Sequence, residues 1–422
     1  MADADRDKVG RRALLRQAGA AGLVAGLSAC APVGSKRLAT AAKLARLDGA
    51  RTLVPLRATP REIVDVKCCI RPLRAAGPNL GTEMVGDTLV VHNYGHGGSG
   101  WSLSWGSADI AVGKALSVLP REIAVVGCGI VGLTSAIVAQ RASLKVTIYA
   151  RELIQKTRSF RASGSFTPDA RVALAEPAGA AFGPLWEQMA RFSWKTFRTF
   201  LGLPGNPVAF SDSFALSDEP IKRRTWPVDP AITESWKPGG LPRQNAEFGH
   251  YIDRIRDIVP LGTDLSPEEN PFPVAYAQRS SNMHFNFASY AHCLLSEFFE
   301  SGGQFVMRDF ADPSELATLP QKVVIHSTGY AARDLWRDNT IIPVRGQTGW
   351  LMPQPAVDYG VRYKNISLLS KADGVVVMNN NPEIGDMLGV GDSNELPNRS
   401  AIEEGLAIIA PVLAAARPER LS

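Results

Sequence analysis

The clearest hydrophobic pattern is a continuous, mostly β-branched run, Ile123-Ala124-Val125-Val126, which suits a strand buried on both faces of a parallel sheet. It leads into Gly127-Cys128-Gly129-Ile130-Val131-Gly132, and residues 133–141 continue as a helix. A second apolar strand, Lys145-Val146-Thr147-Ile148-Tyr149, ends at Ala150-Arg151-Glu152. Residues 108–119 read as a helix running into the first strand, and 400–416 as another near the end. The small apolar run 18–29 is too short to span a bilayer as a helix. Residues 31 to about 58, rich in Ala, Arg and Lys with little periodicity, read as a tether or loosely attached helix.

Strand, glycine turn, helix and second strand together form a dinucleotide-binding unit. Gly127 allows the tight turn, Gly129 lets backbone approach a pyrophosphate, and Gly132 lets helix and strand pack closely. Ile130 and Val131 open the helix, whose N-terminus faces the phosphates. Glu152 stands where this fold places an acidic group on the adenosine ribose. The turn does not choose between FAD and a nicotinamide cofactor.

Composition narrows the field. The chain has 422 residues, 45% hydrophobic and 21% charged, with a formal charge of +5, so it can bury a sizeable core and is expected to form two domains. Its cations are scattered rather than gathered into a stripe with aromatics, which argues against nucleic acid. The five cysteines, Cys30, Cys68, Cys69, Cys128 and Cys293, lack the paired spacing of a zinc site or disulfide framework, and no metal is expected. Near the N-terminus, Arg11-Arg12 before the apolar run looks like a twin-arginine export signal. Leu27-Ser28-Ala29-Cys30 looks like a lipobox that would lipidate Cys30 and anchor the chain on the outer side of a membrane.

Further segments resemble the D-amino-acid oxidase family of FAD enzymes. They are Ile70-Arg71-Pro72-Leu73-Arg74, the glycine-rich Val91-His92-Asn93-Tyr94-Gly95-His96-Gly97-Gly98-Ser99-Gly100-Trp101-Ser102, Ser327-Thr328-Gly329-Tyr330 with Pro343-Val344-Arg345-Gly346-Gln347 downstream, and residues 283–295 before Gly302-Gly303. The resemblance implies an α/β fold, with a Rossmann-like FAD-binding domain and a smaller α+β substrate domain built on an antiparallel sheet. The order is abnormal. In the family the arginine-proline and HNYGHGG-type segments lie at the C-terminus, whereas here they precede the dinucleotide turn. The chain therefore reads as a circular permutant, which is tolerated where termini lie close together at a surface. The expected organisation is signal 1–30, tether 31–60, permuted FAD-domain segment 61–119, dinucleotide unit 120–180, substrate domain 181–300, FAD domain 301–345, substrate strands 346–385 and FAD domain 386–422.

By the same resemblance, Arg71 holds a substrate carboxylate through its guanidinium fork, and the Gly98 carbonyl receives the substrate amine. Backbone N–H groups of Gly97, Gly98, Ser99, Gly100, Trp101 and Ser102 offer donors to the flavin. Thr328, Gly329 and Gly164 are expected beside the cofactor. Tyr276 matches an active-site tyrosine, and Arg279, if it enters the pocket, can hold an acidic side chain. Arg151 replaces the acidic residue common in close relatives. His92 and His96 are read as structural.

These residues point to FAD-dependent oxidation of a D-amino acid to the oxo acid and ammonia, with oxygen reduced to hydrogen peroxide. A dehydrogenase passing electrons to a membrane quinone or carrier is the alternative, and a non-catalytic, membrane-anchored flavin-fold protein belongs to another class. A homodimer is left open.

Overall fold

The apolar run that opens the dinucleotide unit forms the middle of a sheet in the computed structural model, which describes residues 51–221, 248–380 and 387–417 and the backbone of 420–421. The export signal, Cys30 and most of the tether lie outside the described residues. One unit is represented by strand β1 (Arg51–Thr52), antiparallel to a final strand at Arg420–Leu421. The other unit holds residues 53–418 and contains two sheets.

Strands β2 (Ile63–Arg74), β3 (Thr82–Val85), β4 (Thr88–His92), β5 (Glu122–Val126) and β6 (Lys145–Ala150) come first along this unit. They are followed by β7 (Val208–Ser217), β8 (Thr263–Asp264), β9 (Tyr276–Phe285), β10 (Gln304–Met307) and β11 (Val323–His326). The last four are β12 (Ile341–Leu351), β13 (Tyr359–Tyr363), β14 (Ile366–Lys371) and β15 (Gly374–Asn379). The first sheet has six strands in the order β10-β6-β5-β11-β4-β3. All its pairs are parallel except β3 with β4. Strand β4, which precedes the dinucleotide turn in sequence, thus lies beside β11, with His92 opposite His326.

Helix α1 (Gly100–Ala115) and helix α2 (Ile130–Arg141) pack together on this sheet. Helix α1 starts eight residues before the sequence-predicted helix because Gly100 already adopts helical backbone angles. Helix α3 (Ala175–Phe197) crosses α1 closely: a Cβ at Gly106 would meet Met189 O at 2.2 Å. Helix α4 (Phe287–Glu300) closes the layer against α2 and buries Tyr290, Leu294 and Phe298. Of the segment 181–300 expected to lie mainly with the substrate domain, β7, β8 and β9 join the second sheet, whereas α4 packs on α2.

The second sheet has eight strands in the order β2-β12-β15-β14-β13-β7-β9-β8. It is antiparallel apart from β13 with β7. Strand β2 pairs with β12 from Arg74 opposite Ile341 to Ile63 opposite Leu351, so the start of the expected FAD-domain segment belongs to this sheet. Helix α5 (Ala332–Leu335) follows β11. Helix α6 (Arg399–Ala414) is N-capped by Asn398, and Asn379 Nδ2 donates to Ala401 O at 2.7 Å. Its apolar residues Ile402, Leu406, Ile409 and Leu413 are buried, and it packs on β12, β14 and β15. Both sheets lie within residues 53–418, the parallel one carrying the dinucleotide unit and the eight-stranded one forming a second sheet domain.

Candidate active site

The glycine turn after β5 is built by contacts that exclude side chains. Gly127 has φ 104°, a backbone conformation that only glycine adopts readily, and a Cβ there would lie 2.5 Å from Ser327 O. A Cβ at Gly132 would lie 2.0 Å from Gly127 O, so helix α2 approaches the turn at backbone distance. Gly129 meets only the Ser159 hydroxyl, at 3.2 Å, and Ile130 N donates to that hydroxyl at 3.1 Å. The α2 N-terminus, with its partial positive charge, opens on a cavity of about 510 Å³.

Gly127, Gly129, Ile130 and Val131 line this cavity, as do Arg151 and Glu152 at the end of β6 and Thr328 and Gly329 after β11. Arg151 pairs with Asp309 at 3.7 Å, both largely exposed. At the other end the walls are Arg71, Gly97, Gly98, Gly100 and Trp101. A Cβ at Gly97 would meet Arg171 O at 1.7 Å and one at Gly98 would meet Ala170 O at 2.5 Å, so the chain's own backbone fills the space these glycines leave. Ser99 and Ser102 turn away from the cavity. Ser99 Oγ donates to Thr167 O and Ala170 O at 3.2 and 3.1 Å, and Ser102 Oγ accepts from Thr167 N at 2.8 Å. Trp101 donates to Ser159 O at 2.9 Å and stacks on Phe287 with ring centres 4.6 Å apart.

The Arg71 guanidinium rests over Gly346, where a Cβ would be 2.4 Å from Arg71 Cζ. It makes no hydrogen bond or ion pair to another described residue, although neighbouring arginines are engaged. Arg158 Nε donates to Glu395 Oε1 at 3.1 Å and Arg161 to Glu395 Oε2 at 2.9 Å. Ser159, Arg158, Arg161 and Glu395 all line the cavity and are absent from the sequence-derived site. The spacing of Arg158 and Arg161 on one short turn was a readable signal; their partner Glu395, far along the chain, was not.

Tyr276 and Arg279 are not brought to the cavity. Both lie in β9, which pairs with β7, and Arg279 is tied to Asp212 at 2.8 Å. The expectation rested on counting back from residue 283 without the strand, which carries positions 276–279 away along the second sheet. Gly164 does not line the cavity either; its left-handed backbone (φ 81°) lies against Lys371 and Phe285 O. Among the described residues there is no cluster able to hold a metal ion and no helix long and apolar enough to cross a membrane.

Three buried polar atoms of cavity-lining residues, Asn93 Oδ1, His96 Nε2 and Ser327 Oγ, lack partners among the described residues. Burial pushes His96 down to about 4, which leaves it neutral at pH 7. Orphaned buried polar atoms carry a desolvation cost until something bonds them. Together with the glycine turn and the helix N-terminus, they fit an elongated ligand with an anionic middle, as a flavin dinucleotide is.

This arrangement defines a dinucleotide-binding protein. The family described as FAD dependent oxidoreductase matches residues 122–417, and the chain belongs to it; its cofactor is FAD. The match begins at the first residue of β5 and leaves Arg71 and β4 outside it.

The chain is 44% identical over 52 residues to a D-aspartate oxidase of Cryptococcus neoformans var. grubii, covering 12% of this chain and 13% of that one. It is 47% identical over 62 residues to a D-amino-acid oxidase of Dictyostelium discoideum, covering 14% and 18%. The matched stretches thus span less than a fifth of either relative. Among solved structures, an L-amino acid deaminase from Proteus vulgaris with its insertion deleted superposes with a TM-score of 0.45 at 14% identity, covering 72% of this chain and 78% of that one. A glycine oxidase from Geobacillus kaustophilus gives 0.45 at 12% identity, covering 71% and 81%.

Proposed function

We propose that the protein oxidises a D-amino acid at its α-carbon, giving an imino acid that water converts to the oxo acid and ammonia. The observation that carries this reading is the Arg71 guanidinium, unpaired among the described residues; Arg71 lines the cavity of the Gly127 turn and also a second one of about 690 Å³, whose wall includes the Gly346 that lies under the guanidinium. A guanidinium fork binds a carboxylate through two parallel hydrogen bonds and so fixes the α-carbon beside the reacting centre. The Gly98 carbonyl takes the neutral amine, and the α1 N-terminus supplies partial positive charge at that end of the cavity. The Gly127–Ile130 turn holds the pyrophosphate, with Glu152 or Arg151 on the ribose and Thr328 and Gly329 alongside. FAD, when bound, supplies the two-electron acceptor, which oxygen restores with release of hydrogen peroxide. The two short matches to D-amino-acid and D-aspartate oxidases favour the D configuration.

The reading is tested by mixing the purified yellow protein anaerobically with D-, L- and N-substituted amino acids. Bleaching by D-amino acids, and peroxide on admitting air, are expected. Bleaching without peroxide points to the dehydrogenase, and no bleaching with any substrate to the non-catalytic protein.

The circular permutation belongs to the same proposal. It is supported by β4 completing the parallel sheet from outside the family-matched range. It is also supported by Arg399 at the start of α6, whose Nη2 donates to Pro60 O at 3.3 Å, three residues before β2. A rewired chain carrying residues 61–119 after 417 should still bind FAD, and failure to do so while remaining folded counts against the permutation. Export as a lipoprotein anchored at Cys30 is a further part of the proposal, resting on the N-terminal motifs alone.

A further inference from the structure

Two histidines outside the proposed chemistry lie side by side at the ends of β4 and β11, with Nδ1 atoms 3.1 Å apart. His92 is buried and His326 fully so. On the outer side, His92 Nε2 lies 2.6 Å from Glu83 Oε1 on edge strand β3. On the inner side, His326 Nε2 lies 2.7 Å from Oγ1 of the cavity-lining Thr328. Trp336 stacks on His326 with ring centres 4.3 Å apart, and its N–H donates to the same Glu83 oxygen.

This row has one hydrogen-bond polarity as long as both rings are neutral. An ionised carboxylate only accepts, so His92 carries its proton on Nε2 and leaves Nδ1 as an acceptor. His326 must then donate from Nδ1, which makes its Nε2 an acceptor. The Thr328 hydroxyl is therefore the donor to His326. Burial lowers the proton affinity of both rings, most strongly at His326, and so favours their neutral forms, although Glu83 opposes this at His92. The charged groups around the pair are Glu83 and, beyond Tyr94, Asp338 with Arg74.

We propose that Glu83, acting through His92 and His326, fixes Thr328 as a hydrogen-bond acceptor toward the cavity, suited to a sugar or ribityl hydroxyl of FAD and not to a phosphate oxygen. A threonine next to a phosphate-binding turn would ordinarily offer its proton to the anion; here that proton is committed outward. Glu83, His92 and His326 are positioning residues, and Thr328 alone touches the cofactor. The inference rests on the cavity being the FAD site.

The test uses the FAD-bound full chain with 15N-labelled histidine at pH 7, where the six histidines make assignment practical. His92 is expected as the neutral Nε2–H tautomer and His326 as the neutral Nδ1–H tautomer. His326 protonated on Nε2, or either ring charged, overturns the proposal. FAD affinity supplies the second readout. Glu83→Gln keeps an acceptor oxygen and should preserve both tautomers, with a dissociation constant within about twofold of the parent. Glu83→Leu should mix the tautomers and weaken FAD by about fivefold, the scale of one hydrogen bond. Thr328→Val should weaken it similarly, and the double variant no further, because both act at one contact. Unchanged affinity in Glu83→Leu, or additive losses in the double variant, overturns the proposal. Gly132→Val separates the two readings: if it leaves FAD bound, the cofactor lies elsewhere, whereas the histidine tautomers report on the row in either case.

Discussion

The Arg71 guanidinium occupies the space that a side chain at Gly346 would need, with a Cβ there falling 2.4 Å from Arg71 Cζ. Position 346 therefore decides where the cation points. Gly346→Ala should push the guanidinium aside and raise the half-saturating substrate concentration several-fold, leaving the flavin spectrum intact. Steady-state kinetics beside absorbance spectra check this, and unchanged kinetics would show that Arg71 does not need that position.

Arg71→Ala should leave the FAD complex intact and deprive the substrate carboxylate of its partner. The cost is about 2 to 5 kcal/mol, or well over tenfold in half-saturating substrate. Arg71→Lys should recover part of this, since an ammonium supplies charge without the planar fork. Turnover equal to the parent in Arg71→Ala would remove the carboxylate assignment.

Gly132→Val should give a colourless protein, because even a Cβ at this position meets Gly127 O at 2.0 Å. Helix α2 would have to retreat from the turn. The ratio of flavin to protein absorbance measures the outcome.

Arg279→Ala and Tyr276→Phe should leave substrate kinetics within about twofold of the parent, with about 1 kcal/mol of stability lost from the partly buried pair of Arg279 with Asp212. A large rise in half-saturating substrate for Arg279→Ala would return this arginine to the site.

The contrast between the glycine turn and these two residues shows what was legible in the chain. Gly127, Gly129 and Gly132 follow from local geometry, because a strand entering a helix at this spacing demands glycine wherever backbone meets backbone. Arg71 was visible only as part of a short motif. Its place in the cavity wall depends on the pairing of β2 with β12, where Arg71 lies opposite Val344, a relation between segments some 270 residues apart. Where Tyr276 and Arg279 lie was equally hidden, since the direction of β9 is set by its pairing with β7. The role inferred for His92 was invisible for want of its partners: Glu83 is near in sequence, but His326 arrives only when β4 pairs with β11.

The last prediction concerns Lys371, whose side chain is fully buried. Its Nζ donates to Phe285 O at 3.0 Å, pairs with Asp373 at 3.1 Å and lies 4.1 Å from the Phe287 ring centre. Burial pulls its pKa down from 10.5 to about 8, a fall that Asp373 offsets only in part. The sign of the consequence follows from proton counts. Below pH 8 both folded and unfolded chains hold the proton, and the group contributes no slope. Between about 8 and 10.5 the unfolded chain still holds it while the folded chain has released it, so stability rises with pH across that window. The gain is on the order of 3 kcal/mol at most. Denaturant midpoints measured from pH 7 to 10 for the parent and for Lys371→Met, which keeps the length of the stem, isolate this contribution from the tyrosines and cysteines that titrate in the same range. The parent should gain relative to the variant as pH rises above 8. Parallel curves would mean that Lys371 keeps its proton in the folded state and that Asp373 compensates for its burial in full.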